Sequence, residues 1–334
     1  MLTFRRVETG HDGDGRAVIR SDGPPKRTVH SSTGVAASEL LWLDGSVRSV
    51  DDGRDRNEAG FPLEPPPGGA SFRILSLPPP QPGAHDDENW LRVPGDDPLR
   101  PGMHTTDTLD YVIVIEGEVV LGLDDGDHRL GAGDVVIQRG TAHRWRVVGD
   151  RPCTYAVLML RPDPSSSSAS GASLLRPRPS AATSSRLRRL VTATDADGKS
   201  FAQSFGPPPV VFEPSGPTGV SLIDLWQSGG PLRSTDQGGD ADSWELDPVG
   251  DGICCRSPQL PAAMDVGDRG WHATNTIDLN VVLRGRLELA LPDGITTILE
   301  PGETVLQRGT NHRWRPVGDE PTSWFAVMLA VAAR

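Results

Sequence analysis

The chain repeats itself, and this internal repeat limits its possible folds more than any other feature of the sequence. Residues 138–152 read QRGTAHRWRVVGDRP, and residues 307–321 read QRGTNHRWRPVGDEP, with 12 of 15 positions identical. Earlier in each half, HTTDTLD at 104–110 matches HATNTID at 272–278. Matching segments that keep the same order along the chain indicate a duplicated domain.

The length of 334 residues agrees with two domains, since a domain usually holds about 100–200 residues. Residues 161–186 are rich in Ser, Pro, Ala and Arg, and a composition with so few large apolar side chains predicts a flexible linker. We therefore expect an N-terminal domain at 1–160 and a C-terminal domain at 187–334. Within these halves, Trp42 in ELLWLDG matches Trp226 in IDLWQSG.

Short apolar runs separated by turn residues predict a mostly β structure. The run YVIVIEGEVVLGLDDGDHRLGAGDVVIQRG at 111–140 alternates β-branched segments with turns, and NVVLRGRLELALPDGITTILEPGETVLQRG at 280–309 repeats the pattern. The chain also holds 38 Gly and 31 Pro, which favours many turns and few helices. Several short strands with regular turns are typical of a sandwich or a small barrel.

Charge and cysteine usage narrow the classes of partner and compartment. The net charge is −12 and no Lys/Arg cluster stands out, so we expect neither a nucleic-acid nor a membrane partner. The N-terminus lacks an apolar segment typical of a signal peptide, and no apolar run approaches the ~18 residues of a membrane span. Cys153, Cys254 and Cys255 suggest no disulfide framework, which favours a cytoplasmic location.

Two motifs in each half resemble those of the cupin superfamily. The first motif appears as HTTDTLDYVIVIEG, in which His104 matches the first histidine, Thr106 the second histidine and Asp110 the glutamate. The second motif appears as GDVVIQRGTAH and ends at His143. The C-terminal half carries the same motifs, with His272, Thr274, Asp278 and His312 at the corresponding positions.

The resemblance implies an all-β chain of two tandem jelly-roll (cupin) barrels with few short helices. Two-domain bicupins resemble an intramolecular cupin dimer, so the two halves are expected to pack against each other, and further homo-oligomerisation stays open. The HxTxTxD and RGTxHxW forms look like a cupin subgroup of bacteria and fungi. Members of that subgroup resemble accessory or tailoring proteins of secondary metabolism, an association that carries little mechanism.

Strand alternation predicts which side chains enter each barrel. If His104 points inward, so do the residues of equal parity, and Trp145 would line the same interior as His143. Each half would then offer two imidazoles, one carboxylate and a hydroxyl in an apolar cup suited to a small molecule. The predicted cup residues are His104, Thr106, Asp110, Val112, His143 and Trp145, with counterparts His272, Thr274, Asp278, Asn280, His312 and Trp314.

Two further residues have two interpretations each. Arg139 and Arg308 stand just before the glycine of the second motif. They can be turn residues at the surface, or they can clamp a substrate carboxylate or carbonyl. In addition, Asn280 replaces Val112 in the C-terminal half, which predicts a more polar ligand for that cup.

Three chemical interpretations of the cup stay open from the sequence. Two histidines and a carboxylate form the ligand set of an Fe(II) facial triad and also suit Zn²⁺ or Mn²⁺, although threonine has replaced one usual ligand. Without a metal, an imidazole titrating near neutral pH and a neighbouring carboxyl can move protons. The cluster can also be a satisfied hydrogen-bond network that only binds a ligand or holds the fold.

The sequence favours an enzyme over the other classes of function. The preferred hypothesis is a tailoring enzyme of lyase, isomerase or cyclase type acting on a small, largely apolar oxygenated metabolite, such as a polyketide-type intermediate. The alternatives are an Fe(II)-dependent dioxygenase and a non-catalytic bicupin that binds small molecules. In the catalytic cases, the residues that would carry protons or ligate a metal are His104, Asp110, His143, His272, Asp278 and His312.

Overall fold

The described chain is built almost entirely from β-strands, as the turn-rich sequence predicts. The computed structural model describes residues 4–47, 49–56, 58, 60–83, 85, 88–163, 187–213, 219–230, 238–240, 245–264 and 267–331. The first half contributes β1 (Arg6–His11), β2 (Ala17–Gly23), β3 (Arg27–His30), β4 (Ala36–Leu43), β5 (Ala70–Leu77), β6 (Leu109–Glu116), β7 (Glu118–Leu123), β8 (Gly126–Gly131), β9 (Val135–Arg139), β10 (Arg144–Val147) and β11 (Cys153–Leu160).

The second half repeats this order of strands and adds short 3-10 turns at Asp268–Gly270 and Pro292–Gly294. Its strands are β12 (Arg189–Thr194), β13 (Ser200–Gly206), β14 (Val210–Phe212), β15 (Ser221–Ser228), β16 (Ile253–Leu260), β17 (Thr276–Arg284), β18 (Arg286–Ala290), β19 (Thr296–Leu299), β20 (Thr304–Arg308), β21 (Arg313–Val317) and β22 (Thr322–Ala330).

The strands form two barrels, each with one eight-stranded and one three-stranded sheet. The N-terminal barrel has the order β13-β12-β9-β6-β11-β5-β4-β3 opposite β10-β7-β8. The C-terminal barrel has the order β14-β15-β16-β22-β17-β20-β1-β2 opposite β19-β18-β21. The predicted fold class of two tandem jelly-roll barrels is therefore confirmed.

Each barrel contains two strands from the other half of the chain. Strand β1 runs parallel to β20, with Val7 beside Val305, and β12 runs parallel to β9, with Leu190 beside Val136. The barrels therefore do not coincide with the two halves of the repeat. The linker predicted at 161–186 lies outside the described residues from position 164 onward.

Inward-facing side chains fill each barrel with a separate apolar cluster. In the N-terminal barrel this cluster includes Val112, Trp145 and Leu190, the last of which comes from the exchanged strand β12. In the C-terminal barrel it includes Trp314 and Val7, and Val7 comes from the exchanged strand β1. The exchanged strands are thus part of the barrel interiors, and each fully buried side chain of this size contributes about 1.5–3 kcal/mol.

A third apolar cluster draws on both eight-stranded sheets. It joins Tyr111 and Leu158 of the N-terminal barrel to Leu279, Phe325 and Val327 of the C-terminal barrel. The central strands are therefore buried on both faces, which explains why every residue of β11 is buried and its sequence is mostly apolar instead of alternating.

The tryptophans matched in sequence do not occupy equivalent positions. Trp42 pairs with Ser71, which stands two residues before Arg73. In the other half Cys254 stands two residues before Arg256 and pairs with Gln227, so Gln227 is the structural counterpart of Trp42. Trp226 is one position away and turns into the layer between the sheets. The pairing of Trp42 with Trp226 is therefore wrong by one residue, and a shift of one residue along a strand reverses the face.

Candidate functional site

A pair of histidines marks the same end of each barrel. In the N-terminal barrel, His104 precedes β6 and His143 precedes β10, and the two exchange backbone hydrogen bonds of 3.0 and 2.9 Å. Their ring centroids are 4.3 Å apart with an interplanar angle of 50°. His272 and His312 repeat the arrangement at 4.3 Å and 56°. The predicted pairing of the two motif histidines within each cup is present in both barrels.

Backbone carbonyls fix the protonation of the rings. The Nδ1 atom of His104 lies 2.8 Å from the carbonyl oxygen of Gly102, and the Nδ1 atom of His143 lies 2.9 Å from that of Thr141. A carbonyl oxygen can only accept, so Nδ1 carries the proton and Nε2 keeps a free lone pair. His272 and His312 bond Gly270 and Thr310 in the same way, at 2.9 Å each.

Burial favours the neutral form of His104, His143 and His312. Desolvation lowers the pKa of His143 to about 3, with the neighbouring His104 adding to the effect, and it also lowers the pKa of His104. Desolvation likewise lowers the pKa of His312 to about 3. His143 is 4% exposed while His104 is half-buried, so the His104 ring is the more accessible of the two.

Burial shifts the pKa of the motif aspartates in the opposite direction, upward, because it disfavours the charged form of any group. Asp110 and Asp278 are 5% and 6% exposed, and burial raises the pKa of each to about 7. Threonine hydroxyls partly oppose the shift. The hydroxyl of Thr276 lies within hydrogen-bond distance of the Asp278 carboxyl and, at 2.7 Å, of the Thr274 hydroxyl, and its single proton can go to either. Asp278 is thus held in a chain of hydroxyl groups.

The described residues do not assemble a three-ligand metal site. Within the described ranges, no group of three or more His, Cys, Asp or Glu side chains lies close enough to hold a metal ion. Thr106, at the position of the usual second histidine, instead accepts a hydrogen bond of 2.8 Å from Thr108. The donor set available to a metal in each cup is the histidine pair, and ligation by Asp110 or Asp278 stays a prediction.

Aromatic and apolar side chains surround the histidines. Trp145 stacks on Tyr155 at 5.7 Å and meets His143 edge-on at 6.1 Å. Trp314 packs on Trp324 at 5.6 Å in the other cup. Val112 belongs to the same cluster as Trp145, as predicted from strand alternation.

Asn280 does not leave its amide group free in the C-terminal cup. Its Nδ2 atom lies 3.5 Å from the carbonyl oxygen of Val305, a long hydrogen bond within the same barrel. The more polar ligand expected for this cup stays a prediction.

The two motif arginines lie outside the cups. Arg139 donates to Gln203 at 2.9 Å and stands 5.5 Å from the Trp226 ring. Arg308 pairs with Glu8 at 2.8 Å and donates to the carbonyl oxygen of Val50 at 2.9 Å. Both alternate with inward residues of their strands, so their side chains turn toward the exchanged segments. The structure does not bring either arginine to the histidine pair.

A glutamine and a threonine hold the histidine turn, and neither was assigned a role from the sequence. Gln138 donates through Nε2 to the carbonyl oxygen and hydroxyl of Thr141, at 3.1 and 2.6 Å. Thr141 then donates at 3.0 Å to Thr192, which lies on the exchanged strand β12. In the other cup Thr310 donates at 3.0 Å to Thr9 on β1. Each histidine turn is therefore supported by the opposite half of the chain.

A buried arginine near each aspartate was also missed. Arg73 is 3% exposed and lies close enough to Asp110 to lower its pKa, and Arg256 has the same relation to Asp278. The available signal was an arginine at the same place in two apolar segments, SFRIL at 71–75 and CCRSP at 254–258. A charge inside an otherwise apolar strand indicates a buried, partnered group.

Two cavities of the described surface lie away from the histidine pairs. One of about 270 Å³ is lined by charged residues that include Arg6, Lys26 and Asp55, and another of about 500 Å³ lies near Gly117 and Gly149. Neither is lined by a predicted cup residue.

Comparisons with known proteins agree with the fold and the motifs. Residues 91–159 match the model of the cupin domain. Phomopsin biosynthesis cluster protein C' of Diaporthe leptostromiformis is 34% identical over 155 residues, which cover 44% of this chain and 71% of that protein. The cupin-domain-containing oxidoreductase srdB of Neurospora crassa is 30% identical over 169 residues, covering 48% and 74%. The chain belongs to the cupin superfamily, and its relatives include proteins of fungal secondary-metabolite clusters.

Solved structures include similar arrangements at low sequence identity. AerE from Microcystis aeruginosa is 10% identical, with a TM-score of 0.47 over 92% of this chain and 97% of that one.

Within the described residues, no helix is long and apolar enough to cross a membrane.

Proposed function

We propose that this protein is a tailoring enzyme of lyase, isomerase or cyclase type that moves a proton on a small, largely apolar oxygenated metabolite. The observation that carries the proposal is the histidine pair of each cup. Both Nδ1 atoms donate to backbone carbonyls, so Nε2 is the ring nitrogen left to meet a substrate, beside the apolar side chains of the barrel. Such imidazoles are suited to accept a proton from a bound substrate.

The aspartates supply the complementary group. Burial lowers the pKa of His104 and raises the pKa of Asp110 to about 7, so the base is neutral while the acid still holds its proton at mildly acidic pH. Titratable groups whose environments push their pKa values apart are typical acid and base partners. In this scheme His104, the less buried ring, accepts the proton and Asp110 returns one to a substrate oxygen, while His143, whose pKa burial lowers to about 3, stays neutral.

The substrate class follows from the walls of the cup and from the relatives. Trp145, Tyr155 and Val112 offer apolar contacts beside a few polar groups, which suits a ligand with one or two oxygens. The printed name of a relative from Diaporthe leptostromiformis refers to phomopsin biosynthesis, and another from Aspergillus oryzae to oryzines biosynthesis. Both support a role in secondary metabolism.

Metabolite profiling of a disrupted strain tests the proposal. The gene is disrupted in the source organism, and the strain is complemented with wild type, with the double variant His104→Ala/His272→Ala, or with His30→Ala as an exposed control. We expect the double variant to accumulate a precursor that is an isomer of the normal product or differs from it by one water. Normal product from the double variant would contradict the proposal.

An oxidoreductase is the second candidate, because four relatives carry the name cupin-domain-containing oxidoreductase. In that case the accumulated precursor would differ by two hydrogens or by oxygen. Elemental analysis after incubation with Fe²⁺, Zn²⁺ or Mn²⁺ gives a second, independent readout. About one metal per cup, lost selectively in His104→Ala or in His272→Ala, would favour this candidate over metal-free proton transfer.

A further inference from the structure

The two cups differ in how their buried arginine is neutralised. We infer that the N-terminal cup binds a small, largely apolar carboxylic acid whose carboxylate pairs with Arg73, whereas the C-terminal cup uses its own Asp224 to neutralise the equivalent Arg256. The inference rests on the proposed function and extends it, because it names a substrate class and the cup that takes it.

In the C-terminal cup the arginine has an internal counter-ion. Arg256 on β16 lies opposite Asp224 on β15, and its Nε atom is 3.2 Å from the aspartate Oδ1. Nε also lies 2.9 Å from the Sγ atom of Cys254, and Nη2 donates to the carbonyl oxygen of Glu245 at 3.0 Å. This cation is buried together with a carboxylate, so a ligand would have to displace that carboxylate.

In the N-terminal cup the acid equivalent to Asp224 is Glu39, and it pairs with Arg56 instead of Arg73. Glu39 lies opposite Arg73 on the neighbouring strand, but the carboxylate of Glu39 accepts a hydrogen bond of 2.9 Å from Nε of Arg56. Both members of that pair are buried, with side-chain exposures of 2% and 7%. The Nη atoms of Arg73 donate to the carbonyls of residues 62–63, and its buried Nε atom has no hydrogen-bond partner among the described residues.

Arg73 is therefore a buried cation that shows no ion pair within the described ranges. Burial lowers its pKa to about 10, which still leaves the guanidinium charged at neutral pH. It contacts two backbone carbonyls and the Phe61 ring, whose centroid lies 4.5 Å from the guanidinium carbon, and all of these are neutral, so an anionic ligand would supply the counter-charge. The Nη1 atom lies 4.0 Å from Met159, the strand neighbour of Asp110, so the guanidinium stands beside the motif carboxyl.

The surroundings favour a monocarboxylate over a phosphate. Two of the five N–H groups of Arg73 donate to backbone carbonyls, and the Nε–H is left to meet a single carboxylate. Asp110 stands nearby, and in its ionised form it would repel a doubly charged phosphate more strongly than a singly charged carboxylate. The neighbouring side chains Val112, Val157 and Trp145 form an apolar cluster that suits a hydrocarbon or aromatic ligand body.

NMR titration of the full-length protein tests the inference with benzoate as the probe and benzamide as its neutral isostere. We expect saturable benzoate binding that shifts the His143 and Trp145 signals and leaves His312 and Trp314 unchanged. Benzamide should bind about tenfold or more weakly, because the charge-assisted hydrogen bond is lost. Arg73→Gln should weaken benzoate binding by about the same factor, and the matched variant Arg256→Gln should leave it unchanged.

A third variant tests the charge argument without altering Arg73. In Arg56→Gln, Glu39 loses its partner and becomes free to pair with Arg73, so benzoate should again bind more weakly. Four outcomes would each overturn the inference. They are equal signal shifts in both cups, equal affinity for benzoate and benzamide, full benzoate affinity in both Arg73→Gln and Arg56→Gln, and binding of neither probe. Normal metabolite from the His104→Ala/His272→Ala strain, beside Arg73-dependent benzoate binding, would reject the proposed function alone.

Discussion

At the scale of single residues, the buried carboxyl of each cup makes folding depend on pH. Burial is the largest cause that raises the pKa of Asp278 to about 7, and hydrogen bonds from Thr276 and Thr274 oppose it. An aspartic acid in an unfolded chain has a pKa of about 3.9. The folded chain holds this proton more tightly, so stability is lost as pH rises from about 4 to about 7 and the penalty is complete above that range.

We predict that Asp278→Asn makes the protein more tolerant of alkaline pH. The amide cannot ionise, and its oxygen still accepts the hydrogen bond from Thr276. Relative to wild type, the variant should gain about 2–4 kcal/mol of unfolding free energy between pH 4 and pH 8, at about 1.4 kcal/mol per pKa unit. Urea unfolding at both pH values measures this gain, and the histidine contributions cancel in the comparison. The exposed control Glu300→Gln should show the same pH dependence of stability as wild type. The same pH dependence in Asp278→Asn would contradict the prediction.

At the scale of elements, the exchanged strands connect each half of the chain to the other half's site. The hydroxyl of Thr192 on β12 accepts from the Arg139 backbone at 2.9 Å and from Thr141 at 3.0 Å. Thr9 on β1 makes the same two contacts with Arg308 and Thr310, at 3.1 and 3.0 Å. The strand that completes a barrel thus also fixes the turn that positions a histidine.

We predict that Thr192→Val changes the N-terminal cup and that Thr9→Val changes the C-terminal cup. Valine keeps the volume but removes the hydroxyl, so each variant should lose about 1–2 kcal/mol of stability. The imidazole NMR signals of His143 should shift in the first variant and those of His312 in the second, each with the other cup unchanged. Each variant serves as the control for the other, and shifts confined to the variant's own half of the sequence would refute the connection.

The strands and the cups could be predicted from sequence, whereas the exchange of strands between the two halves could not. Period-two alternation places Val112 and Trp145 inside the barrel, and the motif spacing brings His104 to His143. The contact between Thr9 and Arg308 joins positions 299 residues apart, and a parallel pairing of this kind leaves no local pattern in the chain.

Strand register and buried charges were the other limits of prediction. The bulge lies at the equivalent place on β4 and β15, between Glu39 and Leu41 and between Asp224 and Trp226, so it keeps the two halves in step. Matching the tryptophans by residue type instead set the halves one position out of register and placed Trp226 on the wrong face. Whether Arg73 finds a counter-ion depends on Arg56, whose position is set by a loop and not by the repeat.

At the scale of the whole molecule, strand exchange makes the two halves of the repeat interdependent. Residues 1–163 include β1 and β2 without their partner β20, and residues 187–334 include β12 and β13 without their partner β9. Each half alone would lack two strands of its larger sheet and would expose the apolar layer that joins the two eight-stranded sheets. Uncovered apolar faces and open strand edges favour association.

We therefore predict that the two halves, produced together as separate chains 1–163 and 187–334, form a tight one-to-one complex. Size-exclusion chromatography with light scattering should give the mass of one full-length chain, and thermal unfolding should occur in a single transition near that of the intact protein. Each half produced alone should aggregate or lack a cooperative transition, because its barrel is incomplete. A half that is monomeric and unfolds cooperatively by itself would show that the exchanged strands are dispensable, and would also remove the basis for coupling Thr9 and Thr192 to the opposite cups.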